Sequence, residues 1–150
     1  MRNLALVFLE CALAATFVCG LSPADAQQPS IDMKGFSRKL IAEQIVSGPL
    51  TEINGKYKMT VAEFTIAPGG YVGPHLHAGP GFRCLIAGEV TNVEADGKST
   101  VYRAGQCYWE SGDKSHTPQN NGDRMVLGLV VELLPASLTG SSLLPVPAAK

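Results

Sequence analysis

The chain holds three histidines in 150 residues, and their spacing makes them the first candidates for chemistry. His75 and His77 stand as His-x-His. On a strand, side chains alternate between faces, so these two project to the same side. Both can reach one metal ion, with His116 arriving from another strand. Histidine is the commonest transition-metal ligand near neutral pH. The three therefore propose a site for one divalent transition metal, Fe, Mn, Ni, Cu or Zn. Imidazole ligands alone do not choose among these ions.

Other reactive residues fall around the histidines. If the strand parity set by His77 continues without a bulge, residue 83 shares its face. Arg83 would then point inward, and a buried guanidinium needs an anion partner. A substrate carboxylate, held bidentately, could be that partner. A bulge near Pro80-Gly81 would flip the parity and leave Arg83 at the surface. Glu63 and Glu110 stand in strands close to the histidines. They are expected to face solvent, although either could reach inward as a ligand or as the partner of Arg83. Tyr57, Tyr71, Tyr102, Tyr108 and Trp109 read as packing aromatics of strands. Asn120 reads as the start of an Asn-Asn-Gly turn. Cys84 and Cys107 are expected to be two buried thiols, although an oxidising compartment would permit a disulfide between them. There is no Gly-x-Ser-x-Gly elbow, and no phosphate-cradling glycine loop before a helix.

Many short strands must position these groups. Residues 57–67 alternate, with Ala62, Phe64 and Ile66 on one face and Val61, Glu63 and Thr65 on the other. The run 67–70, Ala-Pro-Gly-Gly, signals a turn. Strands are expected at 82–87, 89–95, 99–103 and 106–110, with a hairpin turn at Asp96-Gly97. A long apolar strand is expected over 125–134. Residues 36–46 could form a strand or a short helix, after a loose segment at 27–35. Such a pattern predicts an all-β sandwich or barrel.

These residues resemble the cupin superfamily. Gly69, His75-x-His77 and Gly88 stand in the register of its first motif. Gly105, His116 and Asn120 stand in that of its second, with Ser111 and Asp113 replacing the usual Pro and Gly. The resemblance covers residues 36–135 and implies a double-stranded β-helix, or jelly-roll, barrel with a divalent metal inside. It also implies a homodimer, and an activity like that of quercetinase-like cupins: oxygen-dependent cleavage of a small organic substrate. The chain departs at one ligand. The family's glutamate falls at Gly81. One reading is a working three-imidazole site, as in some dioxygenases of the superfamily, with an ion left more electrophilic by the missing charge. The other is a degenerate site, in a non-catalytic module that binds a small ligand. A metal-dependent isomerase or decarboxylase is a third possibility on the same scaffold.

Residues 1–26 read as a signal peptide. Arg2 precedes an apolar stretch, and Ala24-Asp25-Ala26 forms a small-x-small cleavage site. This predicts a periplasmic or secreted protein. Without the leader the charges balance at 11 basic and 11 acidic residues. A neutral chain without a basic cluster argues against nucleic acid as partner. No second apolar stretch suggests a membrane span once the leader is gone. Residues 136–150, rich in Pro, Ser, Ala and Leu without periodicity, read as a flexible tail or an arm onto a partner subunit.

Overall fold

The computed structural model describes residues 30–148, so the leader reading lies outside the described residues. All regular structure among them is strand. The ten strands are β1 (Met33–Ile45), β2 (Tyr57–Val72), β3 (His75–His77), β4 (Gly81–Ala87), β5 (Glu89–Glu94), β6 (Ser99–Arg103), β7 (Cys107–Glu110), β8 (His116–Gln119), β9 (Val126–Pro135) and β10 (Leu143–Pro145).

The alternation of β2 does what its sequence demands. Ala62, Phe64 and Ile66 are buried, and the residues between them lie on the outer face. In β9, Val126 and Val130 join them, and Leu85 and Val90 complete the core with Phe36 and Tyr102 packed against it. One half of the barrel runs β1-β2-β9-β4-β7, and the other runs β10-β3-β8-β5-β6, all antiparallel. This is an all-β barrel, as the strand pattern predicts, in the jelly-roll arrangement that the resemblance implies.

β2 joins the two halves. Residues Tyr57–Ile66 pair with β9, and Tyr71 pairs with Gln119 of β8. The expected turn at 67–70 is instead a bend within one strand. Gly69 adopts a positive φ of 67° there, which a Cβ would disfavour. Its backbone N–H donates to Asn120 O at 2.9 Å, and Asn120 N–H donates to Gly70 O at 2.9 Å. A bend of this kind lets a strand change sheets at a barrel corner without losing its hydrogen bonds.

Two further expectations are corrected. Residues 33–45, read as partly loose and partly ambiguous, form one long strand against β2. Part of the segment read as a flexible tail folds back. Leu143, Leu144 and Pro145 pair with His77, Leu76 and His75, and Ala78 N–H donates to Ser142 O at 2.8 Å. Such a short strand carries no periodicity of its own, and backbone pairing holds it.

Cys84 and Cys107 lie directly opposite each other on β4 and β7, with Cα atoms 4.0 Å apart, and form a disulfide. The expectation of two buried thiols fails because Cys107 faces outward on a strand register that the sequence does not reveal. Non-reducing peptide mapping should recover the Cys84 and Cys107 peptides as one linked species that separates on reduction. Separate peptides without reductant would contradict the pairing.

Candidate metal centre

β3 brings His75 and His77 to one face, and the register of β3 against β8 sets His116 directly across from His75. All three are buried, and one nitrogen of each lies within 4.8 Å of the others. The far side of each ring is pinned. His75 Nδ1 lies 2.8 Å from Gly73 O and His116 Nδ1 lies 3.3 Å from Lys114 O. A carbonyl oxygen only accepts, so each Nδ1 carries the proton and each Nε2 offers its lone pair elsewhere. Glu132 Oε1 sits 3.3 Å from His77 Nδ1 and occupies the same position behind that ring. Burial lowers the pKa of His75 to about 4, opposing the Gly73 hydrogen bond, and the other two histidines add to the lowering. His75 is therefore neutral near pH 7, as ligation requires.

The histidines border a cavity of about 50 Å³ closed on its apolar side by Phe64, Ile66, Val72, Val130 and Leu143. Arg83 does point inward, although no single strand carries the parity of His77 to it: β3 ends at His77 and β4 begins at Gly81 in the other half of the barrel. Gly81, Arg83 and Leu85 are buried, while Phe82 and Ile86 face out. A substrate carboxylate, Glu63 or Glu110 stood open as the partner of Arg83; the chain supplies Glu110 and also Glu132. Arg83 Nε lies 2.6 Å from Glu110 Oε2, and Nη2 donates to Glu132 Oε1 at 2.8 Å. Nη2 also lies 2.9 and 3.2 Å from the two nitrogens of His77, so it rests against the ring rather than on one lone pair.

Glu110 was expected to face solvent and instead points inward. Its Oε1 is 3.0 Å from His116 Nε2, and its Oε2 is 3.0 Å from His77 Nε2. Burial would raise its pKa, but the close approach of His116 and His77 and the charge of Arg83 hold it well below the ordinary carboxylate range. Glu63 keeps its place on the outer face of β2, half-buried.

Three contributors escaped the sequence reading. Glu132, fully buried, is the single charge in the apolar run of β9. Arg38 Nη2 donates to its Oε2 at 2.6 Å, and Ser142 Oγ donates to the same oxygen at 2.9 Å. Burial works against ionisation of Glu132 too, and the contacts with His77, Arg83 and Arg38 outweigh it, bringing its pKa down to about 2. An isolated charge in a hydrophobic stretch was the available signal. Arg38 and Ser142, in ordinary polar surroundings, gave none.

Of the aromatics, Tyr102 and Tyr108 pack as read, while Tyr57 and Trp109 are exposed. Tyr108 borders the cavity, stacks on Tyr102 at 4.0 Å, and burial pushes its phenol pKa up, so it stays protonated. Trp109 is exposed on the outer face against Phe82. Asn120 serves the turn. Its Nδ2 donates to Ile66 O and Arg124 O, and its Oδ1 accepts from Gly122 N–H. Glu110 and His116 also border a wider groove between the β5–β6 hairpin and residues 111–115.

Comparison with known proteins agrees with this architecture. The family model described as Cupin domain matches residues 62–132, a stretch that contains all three histidines. Among solved structures, a double-stranded β-helix protein from Klebsiella pneumoniae aligns with a TM-score of 0.54 at 17% identity, covering 83% of this chain and 90% of that one. The polyketide cyclase RemF from Streptomyces resistomycificus aligns at 0.53 and 19% identity, covering 76% and 78%. An oxalate oxidase aligns at 0.50 and 17% identity, covering 81% of this chain and 59% of its own. No curated protein sequence matches the chain. The family model matches just under half of the chain, and a metal site is common in domains of that family. At these identities the structures speak for the fold alone, and one fold hosts many chemistries.

Proposed function

We propose that this cupin is a metal-dependent, dioxygenase-like oxidoreductase that holds one divalent transition ion on His75, His77 and His116 and acts on a small organic anion. The observation that carries the reading is the convergence of three buried imidazoles whose outer nitrogens are occupied behind them. Acceptors held against the far nitrogen of a ligating imidazole in this way fix ring orientation and tautomer in metal sites. When bound, the ion would supply Lewis-acid and redox chemistry at an oxygen of the substrate.

Charge supports an anionic substrate. Glu110 and Glu132 balance Arg38 and Arg83 within the cavity wall. A divalent ion added to that balance leaves a surplus of positive charge in a buried space, which an anion relieves. Size supports a small one, because pockets that enclose drug-sized ligands span roughly 300–1,000 Å³. The Cys84–Cys107 bridge supports export to an oxidising compartment. The exposed Leu40, Ile41 and Ile45 on the long edge strand β1 support a homodimer.

Elemental analysis of protein purified without chelators should find about one transition ion per chain, lost in His75→Ala, as removing a ligand from such a site requires. Oxygen uptake should then appear with small enolic or 2-oxo acids. A chain that retains no metal after reconstitution with each candidate ion would sink the metal reading. Turnover that survives strict anaerobiosis would move the activity to isomerase or decarboxylase chemistry.

A further inference from the structure

Gly81 occupies the position at which the sequence resemblance places a carboxylate ligand. The sheet shows where a replacement could come from. Gly81 of β4 pairs with Glu110 of β7 on one side and with Glu132 of β9 on the other. Residues paired across antiparallel strands project to the same face. Both glutamates therefore enter the space that a side chain at position 81 would have entered.

The two are not equivalent. Glu132 stands behind the ligand set, near His77 Nδ1, and is held by Arg38, Arg83 and Ser142. Glu110 stands in front of it, with one oxygen 3.0 Å from His116 Nε2 and the other 3.0 Å from His77 Nε2. Those two nitrogens are themselves 3.4 Å apart. Ligand atoms sharing one ion at bond lengths of roughly 2.1 Å lie about 3–3.5 Å from each other. Glu110 thus already sits at ligand spacing from two of the three imidazoles.

We propose that Glu110 is a carboxylate ligand of the metal centre, moved one strand sideways from position 81, and that Arg83 positions it. This rests on the metal reading above. The neighbouring residues fit the move. A Cβ at Gly81 would collide with the Val131 carbonyl oxygen and come within 2.6 Å of Arg83 Nη1 and 2.9 Å of Glu132 Cγ. The vacated volume is filled by the Arg83 guanidinium, whose Nε holds Glu110 Oε2 at 2.6 Å. The missing glutamate, the bare glycine and the inward arginine are then one arrangement. The site keeps a carboxylate, so the loss at position 81 does not empty it.

The test is metal affinity, measured on the full chain by chelator competition with Zn(II) and by visible absorption with Co(II). Glu110→Gln keeps the side-chain shape and should weaken binding by at least about 10-fold and alter the Co(II) spectrum. His75→Ala should lose binding further. Arg83→Met/Glu110→Gln removes both buried charges, so it guards against misfolding of the single variant and should show the same loss. Arg83→Met alone should keep Zn(II) affinity nearer to wild type while changing the Co(II) spectrum, as a positioning residue would. If wild type and Glu110→Gln, or the double variant, bind equally with identical spectra, Glu110 is not a ligand and the three-histidine site stands without it. If wild type binds neither ion, the metal reading itself fails and takes this assignment with it.

Discussion

Glu132→Ala is expected to destabilise the protein by about 3–5 kcal/mol, the range found when one partner is removed from a buried ion pair. Against a typical total of about 5–15 kcal/mol, that is enough to leave much of the chain unfolded at moderate temperature. Glu132 is fully buried, at 0% exposure, and both Arg38 and Arg83 bond to it. Its loss leaves Arg83 with Glu110 alone and removes the main partner of Arg38. It also frees Ser142, which ties the returning C-terminal segment to β9. Urea denaturation followed by circular dichroism would measure the change. An unfolding free energy changed by only a few tenths of a kcal/mol, within the usual spread for surface substitutions, would mean that the arginines find other partners.

The same residue sets an acid limit. The folded pKa of Glu132 is depressed from 4.5 to about 2. A depressed carboxylate contributes stability that is fully present above its unfolded value and is lost as pH falls through the folded one. The window therefore runs from about pH 4.5 down to about pH 2, and about 3 kcal/mol is lost across it. Glu110, also held below the ordinary range, adds to the loss in the same direction. Glu132→Gln removes the titrating group, so the stability gap between it and wild type should shrink steadily as pH drops through that window. A gap independent of pH would show that Glu132 does not ionise in the folded state.

Much of this architecture is legible in the chain because it depends on short-range alternation. The His-x-His pair and the buried face of β2 follow from counting residues along one strand, whereas Arg83 turns inward on a separate strand, β4. What fails is what depends on the register between strands. Glu110 sits in Cys-Tyr-Trp-Glu, where both faces carry an aromatic, so alternation does not say which side is the core. The Cys84–Cys107 bond and the pairing of Gly81 with two glutamates arise from β4 lying between β7 and β9. No local pattern encodes that adjacency. The strand β10 was hidden for a different reason. Leu-Leu-Pro is too short for periodicity, and its pairing with β3 uses backbone groups rather than a side-chain pattern.

Placing a glutamate at Gly81, where the sequence resemblance would have one, should therefore damage the protein rather than improve its proposed metal site. Gly81→Glu places a Cβ against the Val131 carbonyl oxygen, and that contact is with backbone shared between β4 and β9. Overpacking in a tight core costs about 1–3 kcal/mol, and more where backbone must move. The new carboxylate would also join Glu110 and Glu132 in a buried space whose two guanidiniums are already matched. An unmatched buried charge adds several kcal/mol or forces protonation. The expected total is at least about 3 kcal/mol, with lower metal affinity despite the added ligand. Gly81→Ala separates the two costs, because it carries the collision without the charge and should lose about 1–3 kcal/mol. Adding Arg83→Ala to Gly81→Glu should not rescue folding, since the Val131 carbonyl remains and Glu110 loses its partner. A stable Gly81→Glu variant with raised metal affinity would mean that β4 can shift to readmit the ligand, and that the carboxylate on β7 is dispensable.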